Sequence, residues 1–157
     1  MVITDPSSVR DARILLDTHV WVWAATGTVH AFAAAAGPLI EHAAQDERLY
    51  ASAASVWEIA LKAAKGELLV ATDLHAWVAE QQVDPGIRIV SITPALAIDV
   101  TLLPTWLRRR DEQPHKDPSD RFIVATARKR NAVLLTCDEE IIHDGGQGHV
   151  NVYDVRP

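Results

Sequence analysis

The chain has 157 residues, 48% hydrophobic and 23% charged, which suits one domain with a sizeable core and excludes disordered, collagen-like and coiled-coil chains. Fifteen Lys and Arg against twenty-one Asp and Glu leave a formal charge of −6, which excludes a uniformly basic nucleic-acid coat but not a local basic strip. A single cysteine, Cys137, excludes an intrachain disulfide, Cys-rich zinc modules and iron–sulfur clusters. The first ten residues carry Asp5 and no apolar run of signal-peptide length, and no segment reaches the roughly 18 residues that span a bilayer. The expectation is a cytoplasmic protein with no membrane partner.

Residues 1–11 read as a loose leader with Pro6, Ser7 and Ser8 as turn formers, and residues 12–157 as one domain. The short apolar run 12–16 stops at Asp17 and predicts a buried strand. A helix follows over 20–25, closed by Gly27. The Ala-rich stretch 31–47 predicts one or two helices broken at Gly37-Pro38, and 49–51 a second strand. Over 52–65, Ala53, Val56, Trp57, Ala60, Leu61 and Ala64 recur at helical spacing, with Gly66 as the stop. Further helices are expected over 72–82, 94–103 and 118–131, and strands over 87–92, 132–136 and 150–155. An irregular basic loop covers 105–116, a short helical turn 138–142 and a glycine turn 144–148. Strands alternating with helices predict an α/β fold with a mostly parallel sheet and helices on both faces.

In such sheets ligands bind at the carboxyl ends of the strands. The residues expected there are mostly acids: Asp17 after the first strand, Asp138 after the 132–136 strand, Glu58 on the helix after the second strand, and Asp117 and Asp120 at the start of the 118–131 helix. Carboxylates crowded together repel one another and call for a counter-charge, and a hard cation such as Mg²⁺, or Mn²⁺ in its place, supplies one. Each acid also has a plainer reading. Asp17, Asp117 and Asp138 fit helix N-caps, Asp120 suits a helix first turn, and Glu58 stands four residues before Lys62 as in a surface ion pair.

Four segments in order resemble the PIN-domain family, and more narrowly its VapC-type ribonuclease toxins from toxin–antitoxin pairs. They are the stretch from Ile14 to Trp23 around Leu-Asp-Thr-His, the stretch from Ser52 to Lys62 around Trp-Glu-Ile, Asp-Pro-Ser-Asp-Arg at 117–121 running on to Ala127, and Val-Leu-Leu-Thr-Cys-Asp at 133–138. The resemblance implies a three-layer α/β/α sandwich around a mostly parallel sheet and Mg²⁺-dependent RNA cleavage. The family's four acids match Asp17, Glu58, Asp120 and Asp138 as catalytic residues and metal ligands. Asp117, Thr18 and Thr136 fall at supporting positions. The implied partners are an RNA substrate, a cognate antitoxin and a second copy of the toxin in a homodimer. The chain departs from many relatives by the dozen residues before its first strand and by the long Gly145–Gly148 turn.

Between Arg108 and Arg130 eight basic residues face four acids, so Arg108, Arg109, Arg110, Lys116 and Arg121 are candidate RNA-phosphate contacts beside the acids, against the alternative of an ordinary solvated loop and helix end. Trp21 and Trp23, two apart on one helix, should point to roughly opposite sides, one inward and one toward a protein surface, unless the helix is sandwiched. Two other functions stay open on the residues: a receiver-like Mg²⁺-binding phosphoacceptor module, which would want a paired acid after the first strand and a later lysine, and a catalytically inactive PIN-like binding protein. Neither a G-x-S-x-G elbow nor a P-loop is present.

Overall fold

The computed structural model describes residues 1–28, 34–70, 73–105, 107–109, 111–115 and 117–157. The expected helix positions 31–33 and 72 and the candidate contacts Arg110 and Lys116 lie outside the described residues. Among the described residues six parallel strands form one sheet: β1 (Val2–Ile3), β2 (Arg13–Leu16), β3 (Leu49–Ser52), β4 (Arg88–Val90), β5 (Ala132–Thr136) and β6 (Val152–Asp154). Their spatial order is β1-β6-β5-β2-β3-β4. The helices are α1 (Thr18–Thr26), α2 (Ala36–Gln45), α3 (Ala53–Ala64), α4 (Leu74–Val83), α5 (Pro94–Thr101), α6 (Pro118–Arg130) and α7 (Glu139–Gly146). No helix among the described residues is long and apolar enough to cross a membrane.

The central strands are apolar at successive positions because both faces of the sheet are covered. Ile14, Leu16, Leu49, Ala51, Val133 and Leu135 point into one core with Trp21, Leu39, Ile40 and Ile59. Leu15 and Leu134 point into the other with Ile123, Val124, Ala127 and Ile141. Helices α1 and α2 thus cover one face and α6 and α7 the other, while α5 packs outside α6 through Leu96, Val100 and Ala125. The arrangement is the α/β/α sandwich expected from the sequence. Trp21 is fully buried and stacks on Trp77 with ring centroids 5.4 Å apart. Trp23 is half-buried against the same core and beside the His19 ring, so it is not turned wholly outward.

Three expectations need correction. Residues 2–3 are not loose: β1 pairs with β6 (Val2 with Val152, Ile3 with Tyr153), and a 3₁₀ turn over Pro6–Val9 is capped by Asp5. Gly37-Pro38 does not break α2, because it falls in the helix's first turn, where a missing proline N–H costs nothing. The glycine turn begins later than expected, since α7 runs on through Gly145 and Gly146. Gly145 is there for close approach: a Cβ would stand 1.9 Å from Val152 Cγ2 on β6.

Candidate metal centre at the sheet edge

β2 and β5 pair in parallel up to Leu16 and Leu135, so the residues that follow, Asp17 and Thr136, emerge together at the carboxyl edge. The Asp17 N–H extends the ladder to the Leu135 carbonyl at 3.0 Å. Its side chain then caps α1: Oδ1 accepts the Thr18 N–H at 2.7 Å, and Oδ2 accepts the Thr136 hydroxyl at 2.5 Å. Thr136 Oγ1 accepts in turn from the Asp138 N–H at 2.9 Å. Asp138 caps α7, taking the N–H groups of Glu140 and Ile141 at 2.8 and 3.0 Å on Oδ1. One buried threonine therefore ties together two acid-bearing helix starts.

Glu58 joins from α3, which packs against α1 and α6. The Thr18 hydroxyl donates to Glu58 Oε2, so the carboxylate is drawn toward the start of α1. On α6, Asp117 is the N-cap and accepts the Ser119 N–H at 2.9 Å. Asp120 sits in the same first turn and is bound by His115, whose Nε2 donates to Asp120 Oδ2 at 2.7 Å. His115 carries no helical or strand periodicity and has no ligand-like spacing; only its place two residues before Asp117 hints at this role.

The electrostatics show how near these groups lie. Burial pushes the Asp17 carboxyl up to about 7; Asp120 and Asp138 add to the rise, while Thr136 and the Thr18 amide oppose it. Asp120 is also raised, first by burial and then by Asp117 and Asp138, with His115 opposing. Burial alone would lower the His115 imidazole, but its bond to Asp120 and the charges of Asp120, Asp138 and Asp117 shift it upward. Cys137, between Thr136 and Asp138, is pushed up to about 11 by burial and by Asp17 and Asp138, which leaves it a thiol and not a nucleophile.

The donor set fits a hard divalent cation in its chemistry: carboxylate oxygens from β2, α3, α6 and the end of β5, three of them close enough to repel one another. As the side chains stand, several of these oxygens are taken by hydrogen bonds. Among the described residues no group of three or more His, Cys, Asp or Glu is drawn in tightly enough to hold a metal. A cation bound here would have to draw the carboxylates together.

The described members of the basic strip, Arg108, Arg109 and Arg121, are engaged within the chain. Arg108 pairs with Asp111 at 2.7 Å and Arg109 with Glu139 of α7 at 3.3 Å. Arg121 Nη2 donates to the Val100 carbonyl at 3.0 Å, so its guanidinium serves the C-terminal end of α5, where the helix dipole favours a cation.

A family model for the PIN domain matches residues 14–144. Comparison with curated proteins returns no match. Among solved structures, VapBC2 from Rickettsia felis, bound to a DNA fragment from its promoter, is similar with a TM-score of 0.60 at 14% identity, over 90% of this chain and 98% of the other. FitAcB from Neisseria gonorrhoeae is similar with a TM-score of 0.50 at 20% identity, over 90% of this chain and 96% of the other. At such identities the likeness speaks for the fold, while the family model spans both the first acid-bearing strand and the last. This chain belongs to the PIN-domain family.

Proposed function

We propose that this PIN domain is a divalent-cation-dependent endoribonuclease, acting in the cytoplasm as the toxin of a toxin–antitoxin pair and restrained by a cognate antitoxin. The observation that carries the reading is Asp17: a buried carboxyl at the strand edge, held at about 7 and pressed by Asp120 and Asp138. Acids that merely capped helices at the surface would not repel one another in this way. The fold likeness to VapBC2 and FitAcB supports the toxin–antitoxin context.

In this reading Asp17 and Asp120 hold Mg²⁺ or Mn²⁺ directly, with Glu58 and Asp138 completing the site directly or by positioning water. When bound, the cation supplies the Lewis acidity that activates water and offsets charge on the phosphate. Thr136 and Thr18 keep Asp17 and Glu58 turned toward the site, and Asp117 fixes the start of α6 so that Asp120 faces it. The receiver-like alternative lacks the paired acid and the lysine it would need, and the PIN match over 14–144 favours the nuclease. The test is to incubate the purified chain with total RNA, with and without Mg²⁺, and to map the cut ends. Discrete Mg²⁺-dependent ends that vanish in Asp17→Asn are expected. RNA left intact in Mg²⁺ and in Mn²⁺ would leave a PIN-like binding protein.

A further inference from the structure

Each acid at the strand edge needs something to aim it, and the four are aimed differently. Asp17 is gripped by a backbone N–H and a threonine hydroxyl, Glu58 by the Thr18 hydroxyl, and Asp138 by two backbone N–H groups. These restraints come with the strand ends and helix starts themselves. Asp120 is different. It stands in the first turn of α6 but the cap position belongs to Asp117, and the partner shown for its carboxylate among the described residues is His115.

His115 is well placed to do this. Its side chain is 10% exposed and that of Asp120 16%, so the contact is largely shielded from water. The imidazole is delivered by a segment braced at several points. Leu107 and Pro114 form a β-bridge, the Arg108 N–H donates to the Gln113 carbonyl at 2.8 Å, and the Arg109 N–H donates to Glu140 of α7 at 2.8 Å. Since α7 is the helix capped by Asp138, His115 is anchored to the same end of the fold as the acids it serves.

We infer that His115 is a positioning residue: by engaging Oδ2 it fixes the Asp120 carboxylate so that Oδ1 is presented to the cation. The inference rests on the nuclease reading above. Carboxylates that ligate metals are themselves commonly held by such outer hydrogen bonds, and losing one costs about 10–100-fold in metal affinity or activity. A histidine that only stapled the loop to α6 would affect stability and leave metal affinity alone.

The test is calorimetric Mn²⁺ titration of the purified full chain and its His115→Ala and His115→Gln variants, with melting curves to confirm folding and kcat and KM measured on RNA. In His115→Ala the Mn²⁺ dissociation constant should rise about 10–100-fold and kcat should fall, with KM for RNA within about twofold. Glutamine, whose amide nitrogen reaches the position of the imidazole Nε2, should recover most of the affinity. Unchanged Mn²⁺ affinity in His115→Ala overturns the inference, as does a glutamine variant no better than alanine. If the alanine variant does not fold, His115→Asn, whose shorter amide falls short of Asp120, replaces it: asparagine weak and glutamine strong supports the inference, and equality overturns it. A wild-type chain that neither binds Mn²⁺ nor cuts RNA overturns the nuclease reading with it. A wild type that does both while His115 is indifferent overturns this inference alone.

Discussion

Asp17 and Asp144 are both buried carboxyls, 3% and 0% exposed, and burial pushes both upward. Their company is opposite. Asp144, inside α7, is bonded to His149 Nδ1, and the charges of His149 and Arg128 pull its pKa back down. Arg128 also donates to the His149 carbonyl at 2.7 Å, which closes the group. Asp17 has a hydroxyl and an amide to bond to, and the charges that act most on it are those of other acids. One buried acid carries its counter-charge within the chain and reads as structure. The charges that act on the other are all of its own sign, and in the proposed reading a cation from outside offsets them.

Neutralising each acid should separate them most sharply. Asp17→Asn is expected to lower Mg²⁺-dependent RNA cleavage by at least about a hundredfold, whereas Asp144→Asn leaves the rate of the folded fraction near that of wild type. Equal losses in a single-turnover assay would erase the contrast. On stability the order reverses with cation removed. Asp144→Ala should cost about 1–3 kcal/mol by urea unfolding, because it leaves His149 without its acceptor, while Asp17→Asn should stabilise the protein at neutral pH.

The pH dependence follows from the same shifts. The folded Asp17 carboxyl titrates at about 7, above its unfolded value. Between the two the folded chain holds a proton that the unfolded chain has released, so stability falls as pH rises, on the order of 2–4 kcal/mol between about pH 4 and 7 for this group. Asp120 is shifted in the same direction, and the raised His115 adds stability that is lost as pH climbs through its folded pKa. Unfolding in EDTA should therefore show a decline toward neutral pH that Asp17→Asn flattens. A wild-type curve that rises over this range would contradict the assignment.

The near side of α7 offers a control of pure packing. Gly145→Ala places a methyl group against Val152 and should cost about 1–3 kcal/mol with no change in metal affinity, read by melting with and without Mn²⁺. The smallest effect concerns the basic strip. Arg121→Ala should cost about 1 kcal/mol of stability by uncovering the end of α5, and leave the salt dependence of RNA binding close to that of wild type. A drop of about one in the salt slope would instead place Arg121 on a phosphate.

The strand-edge side of this contrast is legible in the sequence; Asp144, which the sequence offers only as part of a glycine turn, is not. β2 and β5 announce themselves because a strand buried on both faces must be apolar throughout, and the polar residues where they end then stand out. α6 shows its cap, its proline and its basic last turn in order. The capping reading of Asp17, Asp117 and Asp138 and their place at the strand edge proved compatible: one carboxylate oxygen serves the helix start. His115 escapes because its partner follows from the pairing of Leu107 with Pro114, which no local periodicity encodes. β1 escaped because two residues are too few to show a pattern, and their partner strand lies at the far end of the chain. The ion pairs of Arg108 and Arg109 escape sequence reading because charge counting does not see intramolecular partners such as Asp111 and Glu139.

The most direct test is the proton count of Mn²⁺ binding. Calorimetric titrations at pH 6 in buffers of different ionisation enthalpy report the protons released as the ion binds. With Asp17 titrating at about 7, the wild-type chain should release nearly one proton, and Asp17→Asn should release almost none with much weaker binding. Mn²⁺ binding that releases no proton from the wild type, or that is unchanged in Asp17→Asn, would mean that the buried acid and its neighbours are not where the cation goes.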